Sequence, residues 1–323
     1  MSTGTILITG SEGLIGSSLR RRLQGEGYTV AGLDVRACNT KEHGDIRCPE
    51  QLEAAMGSCA GVVHLAAVSR VIWGEKYPAL CSDINIGGLK SLFDIVSRNR
   101  NRPWVIFGSS REVYGKSPFL PAGGKTPLAP MNHYAKTKLA GENLTWEARC
   151  NGSQVAVLRF SNVYGSVRDY RDRVVPAFAR AAAGGEPLHL EGADNVFDFT
   201  LLSDVVDGIV RTVHLMQCGE TTLPPIDLVS GKGTTLRELA NIAISATDKS
   251  SPVLYAPPRQ FDVSEFYGDP GPAENILGWR ARVGVSDGVP ELVRQFNRKG
   301  CNNENYEGDS WLSDALQCRV GSL

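Results

Sequence analysis

The sequence predicts an α/β fold: a doubly wound parallel sheet followed by a smaller mixed α/β C-terminal lobe. Three observations lead there. Short, continuous apolar runs recur along the first half of the chain, helical stretches separate them, and a glycine-rich turn follows the first run. Parallel neighbours need a crossover connection of about a dozen residues or more, which helices of this length supply.

Residues 5–9 form the first apolar run, a strand, and pass through Gly10-Ser11-Glu12-Gly13-Leu14-Ile15-Gly16 into a helix reaching about residue 23. A second strand, 29–33, ends at Asp34. A third, 61–65, ends at Ala66-Ala67, and a fourth, 104–107, ends at Gly108-Ser109-Ser110. Between the third and fourth lies a helix ending near Asn99; residues 132–149 read as a long helix and 154–159 as a further strand. In such sheets ligands collect at the carboxyl ends of the strands. From about residue 167 the alternation becomes irregular and glycine and proline denser, so a second lobe is expected over 167–300, after a first domain over 1–166 whose later elements interleave with it. Residues 301–323 leave the pattern and read as a tail of unknown role.

The 323 residues are 42% hydrophobic and 21% charged, as in an ordinary globular protein. The 34 Lys and Arg balance 35 Asp and Glu, so no global basic field selects nucleic acid or an anionic membrane, and charged ligands must be held locally. No apolar run reaches the ~18 residues of a membrane span, and the N-terminus enters a strand without a basic leader, which predicts a cytoplasmic protein. The eight cysteines form no CxxC or CxxH pair, so reduced thiols are expected and no metal site. Glycine is in excess, 35 of 323 against a usual ~7%.

The glycine turn is the first chemical signal. A strand running into GxxGxxG and a helix sets unpaired backbone N–H groups and a positive helix end beside a pyrophosphate. Asp34 ends the next strand, where a carboxylate can accept hydrogen bonds from both hydroxyls of an adenosine ribose and would repel a 2′-phosphate, favouring NAD over NADP. The second signal is Tyr134 and Lys138, four apart and therefore on one helix face. A nearby ammonium favours phenolate, so Lys138 is expected to lower the Tyr134 pKa and make it a general base. Ser109 or Ser110, at the end of the fourth strand, can hydrogen-bond the same substrate oxygen.

Taken with Asp45-Ile46, His64-Leu65-Ala66-Ala67, Asn85, Ser109-Ser110-Arg111-Glu112-Val113-Tyr114-Gly115 and Arg159-Phe160-Ser161-Asn162-Val163-Tyr164-Gly165, these motifs resemble the extended short-chain dehydrogenase/reductases, in particular their nucleotide-sugar epimerase/dehydratase branch, from residue 5 to about 298. The resemblance implies a Rossmann-type NAD-binding domain and a lobe for a nucleotide-diphosphate sugar, without nucleic-acid or membrane partners, in a homodimer. It implies that Gly10, Gly13, Leu14, Ile15 and Gly16 hold the pyrophosphate, Asp34 the ribose, and Asp45 with Ile46 the adenine. Leu65, Ala66, Ala67 and Asn85 would line the cofactor cleft, and Lys138 would also reach the nicotinamide ribose. Ser110 would be the catalytic hydroxyl beside Tyr134, with Asn162 facing the sugar nucleotide and Arg259 the diphosphate. The implied activity is an NAD-dependent 4-epimerisation through a transient 4-keto sugar and enzyme-bound NADH.

Two positions depart from the branch. Dehydratases carry an Asp-Glu pair after the catalytic hydroxyl, and here it reads Arg111-Glu112. Glu112 resembles the acidic residue of sugar-nucleotide decarboxylases, so decarboxylation or dehydration is the alternative; equally, Glu112 can be a carboxylate paired with Arg111. Relatives have an arginine where this chain has Phe197, and Arg168, Arg171, Arg173 or Arg211 could compensate. The 168–173 stretch reads equally as a substrate clamp or a solvated loop. His64 is expected to be buried structure, and His133 to meet either solvent or substrate. A rival of another class is a catalytically idle NAD-binding regulator, against which Ser110, Tyr134 and Lys138 together weigh.

Overall fold

The computed structural model describes residues 4–259 and 263–299; the tail expected over 301–323 lies outside them. A six-stranded sheet dominates, built from β1 (Ile6–Thr9), β2 (Val30–Leu33), β3 (Gly61–His64), β4 (Trp104–Ser110), β5 (Val155–Phe160) and β9 (Ile226–Leu228) in the order β2-β1-β3-β4-β5-β9. Every pairing within it is parallel. Both faces are covered, which is why the strands read as continuous apolar runs rather than alternating ones. Ile6 and Ile8 face one core with α1 (Leu14–Gly25) and α8 (Leu202–Gln217), while Leu7 faces the other with α2 (Pro49–Met56) and α5 (Gly88–Arg98).

The chain leaves β1 toward β2 and returns to pair β3 on the other side of β1, so the strand order switches direction there and opens a crevice at the carboxyl ends of β1 and β3. The helix expected to end near Asn99 proves to be broken into α3 (Val71–Lys76), α4 (Pro78–Ser82), a π-helical turn (Asp83–Gly87) and α5. Pro78 at the first position of α4 forces the first break, because the residue before a proline is driven out of helical conformation. The long helix α6 (His133–Cys150) starts where Asn132 accepts a hydrogen bond from the Ala135 N–H at 2.8 Å, a side-chain cap that fixes the first turn.

The remaining strands are β6 (Asn162–Tyr164), β7 (Leu188–Glu191), β8 (Val196–Leu201), β10 (Gly233–Thr235) and β11 (Val253–Ala256), in a β10-β8-β6 sheet and a β11-β7 pair. They pack with α7 (Val174–Gly184), α9 (Leu236–Ser245) and α11 (Val285–Lys299) around Phe178, Phe199, Leu239 and Leu292. α10 (Gly271–Leu277) instead lies against the main sheet's core. A cleft of about 740 Å³ runs between these strands and the C-terminal edge of the main sheet. Cys38, Cys48, Cys59, Cys81, Cys150 and Cys218 are free thiols, and among the described residues no helix is long and apolar enough to cross a membrane.

Candidate active site

One end of the cleft is built on the glycine turn. Gly10 has φ +74°, and a Cβ there would lie 2.8 Å from the Ala66 amide nitrogen, while a Cβ on Gly16 would overlap the Gly10 carbonyl oxygen. Only glycine lets α1 begin so close to the end of β1. The α1 N-cap is Gly13, with no side-chain cap, so the first N–H groups of the helix, at Leu14 and Ile15, face the cleft without a side-chain acceptor. Replacing Gly16 by Ala is expected to reduce NADH binding, read by NADH fluorescence, by more than tenfold, because the helix end must move to admit the methyl. Unchanged affinity would contradict this packing.

Asp34 accepts backbone N–H bonds from Glu12 and Arg36, each at 2.9 Å and each on a different carboxylate oxygen. Oδ1 is also faced by Arg36 Nε at 3.5 Å, and Oδ2 keeps a second acceptor site that suits a ribose hydroxyl. Asp45 and Ile46 lie beyond it on the cleft wall, with the Asp45 carboxylate gripped by Arg47 at 3.0 and 3.1 Å, and Leu65, Ala66 and Ala67 form the opposite wall. An anion-binding helix end beside a carboxylate that suits a ribose hydroxyl fits NAD. Asn85 is the exception among the expected cofactor residues. In the π-helical turn its carboxamide accepts from the Val68 N–H at 2.8 Å and donates to the Val68 carbonyl at 3.2 Å and Thr137 Oγ1 at 2.9 Å, so it stays off the cleft wall and braces the segment after β3 against α6.

At the other end α6 carries Tyr134, 8% exposed, and Lys138 one turn later. Lys138 Nζ donates to the Gly108 carbonyl at 2.7 Å and sits 5.9 Å from the Tyr134 ring centroid. The choice between the two serines is decided by neighbours. Ser109 donates to Glu142 at 2.6 Å, whereas the Ser110 hydroxyl accepts from the Glu112 N–H at 3.2 Å and acts on the Tyr134 phenol, favouring its phenolate. The expectation that Lys138 lowers the Tyr134 pKa is not met. Burial pushes the phenol up to about 12 and outweighs the Ser110 hydrogen bond that favours phenolate, while burial also pushes Lys138 down to about 8.

Glu112 stands next to this group on a 3-10 turn (Arg111–Tyr114), 7% exposed. Both its oxygens are engaged: Arg111 meets Oε1 at 2.6 Å and Asn132 donates to Oε2 at 2.8 Å. The paired alternative for Glu112 is therefore the one the fold adopts. The Arg111 guanidinium in turn lies 4.9 Å from the Phe197 ring centroid and 5.3 Å from that of Phe266. The two departures from the branch pattern are thus in contact: the ring at 197 is the face on which Arg111 stacks.

Asn162 and Arg259 both reach the cleft; Arg259 pairs with Glu191 at 2.5 Å, and the residues after it, 260–262, lie outside the described ones. Arg168, Arg171 and Arg173 line the cleft, but Arg211 does not, being tied to Asp207 and to the Leu277 and Gly278 carbonyls. His64 is buried beside Thr9, with burial pushing its pKa down to about 3. The His133 ring bonds Ser82 at 2.9 Å and takes no part in the cleft wall. Among the described residues no group of His, Cys, Asp and Glu could hold a metal.

What sequence reasoning missed is the layer behind Ser109, Tyr134 and Lys138. Arg159 donates to Glu142 from Nε at 2.9 Å and from a terminal nitrogen at 2.7 Å, and to the Tyr114 hydroxyl at 2.8 Å; Tyr114 donates to Asp227. All four are buried. The one sequence signal for this layer was Glu142 four residues beyond Lys138, on the same helix face. Burial pushes Asp227 up to about 7, against the pull of Arg159 and the Tyr114 hydrogen bond.

Comparison with known proteins agrees with this geometry. The sequence profile of the NAD dependent epimerase/dehydratase family matches residues 6–221. A UDP-glucose 4-epimerase of Lacticaseibacillus casei is 26% identical over 317 residues, covering 90% of this chain and 95% of the relative. The crystal structure of the Thermotoga maritima UDP-glucose 4-epimerase with UDP-glucose superposes with a TM-score of 0.84 at 26% identity, covering 91% of this chain and 99% of that one. An NAD-dependent NDP-hexosamine 5,6-dehydratase of tunicamycin biosynthesis superposes with a TM-score of 0.82 at 26% identity, over 92% and 99% of the two chains. With the profile spanning most of the chain and the glycine turn, Asp34, Tyr134 and Lys138 all in place, the chain belongs to the NAD-dependent epimerase/dehydratase family.

Proposed function

We propose that the protein is an NAD-dependent sugar-nucleotide 4-epimerase working through a transient 4-keto sugar. The observation that carries this reading is the state of Glu112. With one oxygen on Arg111 and the other on Asn132, it is held as an ion-paired acceptor instead of a free acid. Elimination or decarboxylation needs an additional proton-handling group, and epimerisation needs one reversible proton transfer at one oxygen. Tyr134 with Ser110 supplies that transfer.

When bound, NAD accepts a hydride from the sugar carbon and returns it to the other face of the ketone. The chain's own residues do the rest. In its phenolate form Tyr134 would take the proton of the C4 hydroxyl and, as the phenol, give it back, with the Ser110 hydroxyl beside that oxygen. The Lys138 ammonium, one turn along the same helix and fixed by the Gly108 carbonyl, is a positive charge that this phenolate would meet, set against the burial that raises the phenol to about 12. Asn162 and Arg259 face the sugar-nucleotide half of the cleft, where a permanently charged guanidinium suits a diphosphate. The same reading makes the protein cytoplasmic and a homodimer; Trp146, 58% exposed on α6, is the kind of surface aromatic that such an interface would cover.

Product analysis by NMR on a panel of UDP-, GDP-, CDP- and dTDP-sugars tests the proposal. Inversion at C4 is expected, with carbon count and oxygen count unchanged. Release of carbon dioxide or water instead would assign Glu112 the chemistry that its pairing argues against.

A further inference from the structure

The segment 166–173, between β6 and α7, leaves the second lobe and packs onto the first. The Tyr170 ring meets Trp73 of α3 edge-on, with centroids 5.0 Å apart at 84°. Arg70, just before α3, stacks between the two aromatics, 4.8 Å from the Trp73 centroid and 5.2 Å from that of Tyr170, and pairs with Asp172. Arg173 lies 5.4 Å from the Tyr170 ring and pairs with Asp169 at 3.7 Å. The Arg70 and Asp169 side chains are 11% and 1% exposed, so this is a packed joint. Residues on both sides of it line the same cleft as the glycine turn. Arg36 links the two: a terminal nitrogen lies 3.7 Å from where a Cβ on Gly13 would sit, and its charge acts on the Tyr170 phenol.

We propose that Tyr170, Asp172 and Arg70 belong to the cofactor site as a strap: segment 166–173 closes the dinucleotide cleft beside the glycine turn, and NAD(H) leaves only when the Tyr170–Trp73 and Asp172–Arg70 contacts open. The charge-rich stretch is then neither a solvated loop nor chiefly a substrate clamp. An enzyme that must return the hydride it has removed gains from such a strap, because dissociation between the two transfers would strand a ketone. The inference rests on NAD binding alone and not on which sugar is turned over.

The test is the release rate of bound NADH, followed by its fluorescence during a chase with excess NAD. Tyr170→Ala is expected to release NADH about tenfold faster than the parent, the loss of roughly one aromatic or cation–π contact, and Asp172→Asn about threefold faster, the loss of a partly exposed ion pair. Tyr170→Phe keeps the ring and is expected to match the parent. The strap is overturned if folded Asp172→Asn and Tyr170→Ala both release NADH at the parent rate. Should Tyr170→Ala fail to fold, Asp172→Asn decides alone, since the Asp172 side chain is 61% exposed and tolerant of change. If the epimerase reading failed, the NMR products would show it while the chase result stood.

Discussion

Tyr134→Phe is expected to lower kcat on the order of 10³-fold while leaving the NADH affinity within about twofold of the parent. The substitution removes the atom that the proposed mechanism uses to exchange a proton with the substrate and keeps the buried ring, 8% exposed, that packs the start of α6. Ser110→Ala should cost less, because it removes a hydrogen bond to Tyr134 rather than the base itself. Steady-state kinetics beside a binding titration separate the two effects. Near-parent kcat in Tyr134→Phe would remove the proposed base.

The pH profile follows from the neighbouring ammonium. Lys138 is pushed down to about 8 by burial, so its charge is present below that pH and lost above it; kcat/KM is expected to rise with pH as the Tyr134 base ionises and to break downward from that rise near pH 8. The stability consequence has the opposite sign. A lysine whose folded pKa lies below its unfolded value of 10.5 is a destabilising charge below about 8, and the penalty is relieved as pH rises toward 10.5. Lys138→Met should therefore be inactive but more stable than the parent at neutral pH, with the gap closing in alkali. Thermal melts at pH 7 and pH 10 check it.

Arg159→Met is expected to destabilise the fold by about 3–5 kcal/mol, the scale for removing one partner of a buried ion pair. Arg159 is 5% exposed and holds Glu142 with two nitrogens and Tyr114 with a third bond, and Tyr114 holds Asp227. Without the guanidinium Glu142 keeps only Ser109 and buries an uncompensated charge. For a chain of 323 residues the loss corresponds to roughly 4–7 °C in Tm. A change below about 1 kcal/mol would show that the network is hydrated or replaceable. Because Ser109 is Glu142's other partner and Lys138 lies one turn from it, loss of activity beyond loss of stability is also expected.

Much of the site was legible in sequence because it is local. The glycine turn, Asp34 at the next strand's end, and Tyr134 with Lys138 are each set by spacing within one or two elements. The expected strands at 29–33, 61–65 and 154–159 differ from β2, β3 and β5 by a residue or so at their ends. Legibility ended where a side chain's partner is far along the chain. Asn85 matched a motif for the cofactor cleft, yet its carboxamide is saturated by Val68 and by Thr137, which lies 52 residues away. The helix before β4 was expected only by its end near Asn99; the Pro78 break is a local signal, whereas the π-helical turn, whose Asn85 bonds Thr137 of α6, depends on packing.

By itself, the sequence determined a parallel α/β sheet, an NAD-type glycine turn and a tyrosine–lysine pair, since apolar runs, glycines and a four-residue spacing specify these through short-range sterics and hydrogen bonding. Only the tertiary structure decided which serine lies beside Tyr134, that Glu112 is paired, that Arg111 rests on Phe197, and that residues 166–173 cross to Trp73. Except for the Arg111 half of the Glu112 pairing, each depends on contacts between elements 20 to 97 residues apart, where burial and partner geometry, not local preference, set the energy. The Tyr134 pKa makes the same point: helical spacing argues for a lowered value, and the burial that only packing creates raises it to about 12.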